Sequence, residues 1–102
     1  MAQVGFGFRA SPAGIAHDEI TVGTTAVQGP DVQIALGQTV VLYAAPENSG
    51  NIAIGEDNTV TMETGFVLSP GTTLQLAIRN LNMLWFIADS PNQKVRYICE
   101  ID

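Results

Sequence analysis

The sequence predicts an all-β protein: an antiparallel β-sandwich, jelly-roll-like or Greek key, with an extended N-terminal arm. Three observations carry this. Apolar residues recur with a period of two in short runs, clusters of Gly, Pro, Asn and Ser punctuate those runs, and no segment shows a convincing helical period. Repeated strand-and-turn spacing with β-branched residues throughout is the pattern of a sandwich or barrel, here of about eight or nine short strands. At 102 residues the chain is one domain. That length buries roughly two-thirds of the unfolded surface, enough for a core without disulfides.

Residues 1–17, "MAQVGFGFRASPAGIAH", have neither period, and Gly5, Gly7, Pro12 and Gly14 disfavour a helix. Phe6 and Phe8 lie two apart and would face the same way in an extended chain. The segment reads as an arm that packs on a neighbouring subunit; a disordered terminus is the alternative. Two Phe, Val4 and Ile15 are unusual for a tail that stays unfolded. Residues 18–102 then form the sandwich domain.

Within that domain, "EITVGTTAV" alternates weakly through Ile20, Val22, Thr24 and Ala26. "DVQIAL" predicts Val32, Ile34 and Leu36 on one face, and "TVVLYA" follows, closed by Pro46 and "ENSGN". "NIAIG" leads to a turn at Glu56-Asp57-Asn58, then to "TVTME" with Val60 and Met62 inward. Ser69-Pro70-Gly71-Thr72 reads as a type II turn, Pro setting φ at its second position and Gly supplying positive φ at its third. The run after it puts Leu74, Leu76 and Ile78 on one face. "MLWFIA" is apolar on both faces, as in a strand covered twice or one whose outer face meets another chain. After "SPNQ", the run "KVRYICEID" sends Val95, Tyr97, Cys99 and Ile101 inward, with Ile98 the apolar exception on the outer face.

Composition narrows the function. Net charge is −6, and Arg9, Arg79, Lys94 and Arg96 form no basic run, which argues against nucleic-acid binding. No apolar run approaches the ~18 residues of a membrane span. The start lacks the features of a secretory leader, so synthesis in a cytoplasm is expected. Only 14% of residues are charged, against ~25% usually. Asp31 is the sole charge between Glu19 and Glu47, and Arg79 the sole one between Glu63 and Asp89. Such tracts fit flanks covered by neighbours, or else a neutral, Thr-rich exterior.

Catalytic chemistry finds little to work with. His17 is the only histidine, so neither a multi-histidine metal site nor a Ser-His-Asp triad is expected, and His17-Asp18-Glu19 reads as a solvated strand start. Cys99 alternates with core residues and reads as a small buried hydrophobe. "GFGF" lacks the third glycine and helix of a phosphate loop. "GEDNT" lacks the spaced ligands of a calcium loop. Carboxylates at Glu47, Glu56, Glu63 and Asp89 fall at turns or strand ends. No catalytic residue, cofactor or metal is expected. Two binding readings remain: Trp85, Tyr43 and Tyr97 as an aromatic platform for sugar, or a rigid sandwich that oligomerises and clamps onto something larger.

The segments "SGNIAIGEDNTVTMETGFVLSPGTTLQLAI" and "LNMLWFIADSPNQKVRYI" resemble a pattern of strands and turns in small tailed-bacteriophage virion proteins. The similarity spans roughly residues 49–98 and is most specific over residues 64–71; the arm lies outside it. The resemblance implies a non-enzymatic virion structural protein, of the capsid cement or decoration type. Its partners would be other copies of itself, a trimer being favoured, and subunits of the major capsid protein. A tail, neck or fibre component, or a carbohydrate-binding adhesin module, is the alternative. Candidate contact residues are Phe6, Phe8 and Arg9 of the arm, with Met83 and Trp85 on whichever face of residues 83–88 the sandwich leaves uncovered.

Overall fold

In the computed structural model, which describes residues 14–102, two four-stranded antiparallel sheets pack face to face as a β-sandwich. The strands are β1 (Gly14–Val22), β2 (Val27–Gln28), β3 (Val40–Ala44), β4 (Ile52–Gly55), β5 (Phe66–Leu68), β6 (Thr73–Leu76), β7 (Trp85–Ala88) and β8 (Gln93–Ile101). One sheet, A, has the order β1-β8-β3-β6; the other, B, has β2-β7-β4-β5. The pairings are nested: β1 with β8, β2 with β7, β3 with β6, β4 with β5. Most connections therefore cross from one sheet to the other; the exception is the link from β4 to β5, which stays within sheet B.

Alternation decides which side chains meet in the middle. From sheet A come Val22, Val40, Leu42, Ala44, Val95, Tyr97 and Cys99; from sheet B come Ile52, Ile54, Leu68, Phe86 and Ala88. Phe86, Leu42, Ile52 and Val95 are wholly buried. Burying an aliphatic or aromatic side chain of this kind is worth about 1.5–3 kcal/mol.

The connection after β5 is a tight turn: the Thr72 amide donates to the Ser69 carbonyl at 3.1 Å, and Gly71 has φ +83°. The Gly71 amide also donates to the Ala44 carbonyl at 2.8 Å, fastening the turn to β3. Asn92 turns the chain into β8 at φ 59°, a conformation Asn tolerates better than most residues.

Three expectations need correction. The strand predicted to start at Asp18 begins by Gly14, so Gly14–His17 pair with β8 instead of belonging to an arm. The Asp31–Leu36 run makes only isolated bridges at Gln33 and Ile34, and Leu36 is 68% exposed. It turns away because the Gln38 amide donates to the Ala35 carbonyl at 3.0 Å and Gly37 adopts φ +80°. Third, residues 59–63 form no strand. Side chains compete with the ladder there: Asp57 accepts the Thr59 amide, and Thr61 and Thr64 each accept the other's amide through their hydroxyls.

Candidate interaction surfaces

The residues of 56–65 fold over the outside of sheet B. Ala53 and Gly55 point outward from β4, since Ile52 and Ile54 point in. A β-carbon on Gly55 would lie 2.6 Å from Val60 Cγ2, and one on Gly65 would lie 2.8 Å from both Ala53 Cβ and Val60 Cγ2. Ala53 and Val60 are buried yet outside the main core, so they form a small second cluster beneath this loop.

What the loop leaves open is largely apolar, with Gln28 the polar exception. Gln28, Trp85 and Gly55 form one outward row of sheet B, and Ile87, Ala53 and Val67 the next. Trp85 and Ile87 are half-buried, and Val67 is 42% exposed. Phe66, at the β5 edge, is 59% exposed. None of the four strands of sheet B contains a charged residue. An antiparallel sheet with one face on a core normally turns polar residues to water on the other.

The outer face of sheet A is built differently. Glu19, Arg96, Tyr43 and Thr73 lie side by side across its four strands. The Arg96 guanidinium donates to Glu19 at 3.2 Å and also pairs with Glu47. Lys94 Nζ donates to the Thr21 hydroxyl at 2.8 Å. Ile98, the exception expected from the sequence, is 49% exposed between His17 and Val41.

Of the predicted contact residues, Met83 and Trp85 lie on described chain, and Phe6, Phe8 and Arg9 fall outside the described residues. Met83 closes a 3-10 turn (Leu81–Met83) whose Asn80 cap accepts the Asn82 amide at 2.9 Å. Gln28 Nε2 donates to the Asn82 carbonyl at 2.8 Å, tying that turn to the edge beside Trp85. Met83 itself is 52% exposed. The uncovered face of residues 83–88 is thus the one bearing Trp85 and Ile87. Sequence reasoning missed Val67 and Phe66, although "GFV" beside an uncharged turn was available as a signal.

The aromatic platform does not assemble. Trp85 faces outward from sheet B and Tyr43 outward from sheet A, while Tyr97 points into the interior. Cys99 is buried, and that burial pushes its thiol above its ordinary value. His17 lies on the outer face of β1, opposite Ile98. Among the described residues, no group of three His, Cys, Asp or Glu could hold a metal ion. A shallow cleft of about 190 Å3 lies at Gly55, Glu56, Asp57, Thr59, Val60 and Thr64. Asp57 spends its carboxylate on its own turn, and hydrogen bonds from the Thr59 hydroxyl and amide hold its pKa below the usual value.

No protein-family model matches this chain, and no curated protein matches it.

Proposed function

We propose that this protein is a non-enzymatic virion structural protein, a cement or decoration component that acts as an oligomer, a trimer being favoured, and stabilises a capsid by binding several of its subunits. The observation that carries the reading is the uncharged sheet B, whose outer face presents Trp85, Ile87 and Val67 together. Exposed apolar surface on a sandwich, here on both sides of the loop that covers Ala53, is a contact surface in waiting, and interface cores are depleted in charge while enriched in Trp. The nested strand pairing supports a jelly-roll winding, a body stiff enough to hold such a face flat. The resemblance of residues 49–98 to small phage virion proteins points the same way.

Cement of this kind works by engaging neighbouring subunits at once. Each contact is weak, but joined contacts raise avidity by ~10²–10⁴. The test adds the purified protein to expanded capsids built from the capsid protein of the same genome. The expected result is a species larger than the 10.8 kDa chain in sedimentation and a raised capsid melting temperature. A monomer that leaves capsid melting unchanged removes the reading; decoration of tails instead of heads in micrographs replaces it with the tail alternative.

A further inference from the structure

We propose that the cleft at the side of the sandwich between β1 and β2 is a receptor for one basic side chain, a lysine ammonium or an arginine guanidinium, presented by the binding partner. The chemistry of the cleft stands on its own; that the basic group comes from a capsid lattice rests on the reading above.

The opening follows from unequal strands. β1 runs for nine residues along one edge of sheet A, whereas β2, the edge of sheet B on that side, has two. The unmatched length leaves a cleft of about 280 Å3 lined by Asp18, Glu19, Ile20, Gln28, Pro30 and Tyr97. Asp18 sits opposite Tyr97 and alternates with Ala16 and Ile20, both packed against the core, so an exposed carboxylate stands at the mouth of the cleft on the side of the sheet that faces the core. One oxygen accepts the neighbouring Glu19 amide at 2.7 Å. The described cations are engaged elsewhere: Arg79 with Asp102, Lys94 with Thr21, and Arg96 with Glu19 and Glu47.

Tyr97 supplies the second, independent observation. It is only 8% exposed and lines the cleft, yet its hydroxyl makes no hydrogen bond to any described residue. A buried Tyr hydroxyl usually has a partner. Burial first, and then the charge of Asp18, push its pKa up, so the cleft is a place where negative charge is felt. Gln28 holds the Asn82 carbonyl with its amide nitrogen, which leaves its carbonyl oxygen to accept. Asp18, Gln28 and Tyr97 therefore present acceptors that a multi-donor cation satisfies, and Ile20 and Pro30 offer apolar surface for its methylene stem.

The test is an NMR titration of the isolated, isotope-labelled protein with Nα-acetyl-lysine methylamide and its arginine counterpart. The norleucine analogue and methyl glucoside serve as uncharged controls. Saturable shifts confined to the signals of Asp18–Ile20, Gln28, Pro30 neighbours and Tyr97 are expected for the two cations alone. Asp18→Asn, which keeps the shape and the acceptor for the Glu19 amide, should weaken them about tenfold, and Tyr97→Phe less, with other signals unmoved. Equal shifts from norleucine or the glucoside, unchanged affinity in Asp18→Asn, or no saturable shift at all would each overturn the proposal. Because no capsid is present, loss of particle binding with an intact lysine response refutes the virion reading alone. If Asp18→Asn abolishes the lysine response yet leaves particle binding at wild-type strength, the cleft is not the lattice contact.

Discussion

The two outer faces of this sandwich enclose one core but meet their surroundings in opposite ways. Among the described residues, sheet A carries every charge that lies in a strand, on β1 and β8: Asp18 and Glu19 on one, Lys94, Arg96 and Glu100 on the other. Sheet B carries none, and a loop already covers part of it with Val60. The difference teaches that burial in this molecule is graded: a complete core, a second small cluster outside sheet B, and apolar residues flanking that cluster that stay open to a partner. A neutral exterior made only for solubility would place Thr and Gln on both faces. Here Thr and Gln dominate the outward positions of β6, while Trp85, Ile87 and Val67 occupy sheet B.

Strand β7 offers the sharpest way to break this comparison, because adjacent residues belong to its two sides. Phe86 is wholly buried in the core, and Phe86→Ala should lower unfolding free energy by about 3–5 kcal/mol in urea titration. Trp85→Ala, on the half-open side, should cost well under half of that while reducing particle binding by a hot-spot amount, about 2 kcal/mol or more. Equal stability losses at both positions would make the outer face another core and leave nothing spare for a partner.

A smaller effect sits one strand over. Gly55→Ala drives a methyl group against Val60, and such overpacking costs about 1–3 kcal/mol. If the loop is held on sheet B through that contact, Gly55→Ala combined with Val60→Gly, which removes both Cγ2 and the Cβ at 2.7 Å, should cost less than the two separate losses added together. Additive losses in the double-mutant cycle would mean that the loop is not fastened there.

These contrasts were unevenly legible in the sequence. The Ser69–Thr72 turn, the alternation of β3 and the inward set Val95, Tyr97 and Cys99 could be read directly, because period and turn chemistry agreed at each. The strands expected through Leu36 and through Val60 and Met62 do not form, although Val60 is buried, for one reason: alternation shows that a strand is possible, whereas Gly37 and the hydroxyls of Thr61 and Thr64 decide against one. Met83 and Trp85 could be singled out as apolar, but which face would stay open depended on β7 landing between β2 and β4, a tertiary fact. The Asp18–Tyr97 cleft was invisible. It needs the register of β1 on β8 and the brevity of β2, neither of which has a local signature.

Alkali should act on one sheet only, since Tyr97 and Cys99 lie on the inner face of sheet A and the strands of sheet B hold no titrating group. Burial holds both groups above their ordinary values of 10.0 and 9.0, so the folded protein keeps protons that the unfolded chain releases. Stability from this source is complete below about pH 9 and declines as pH rises through the folded values. Urea midpoints measured from pH 7 upward should fall, and Tyr97→Phe with Cys99→Ala should flatten that fall. An unchanged slope in the double variant would place the alkaline sensitivity elsewhere.

The smallest effect belongs to the ladder on sheet A. Arg96 is paired with Glu19 and Glu47, but its side chain is 40% exposed and Glu47 is 60% exposed. Solvent weakens such pairs, and at 1 M salt screening reaches in to about 3 Å. Arg96→Gln should therefore shift the melting temperature only slightly at low salt and not at all at 1 M. Its particle binding should stay near wild type if the partner docks on sheet B, in contrast to Trp85→Ala. A variant that folds normally but loses the particle would move the contact surface to sheet A, because a screened ladder too weak to hold the fold would then be serving the partner instead.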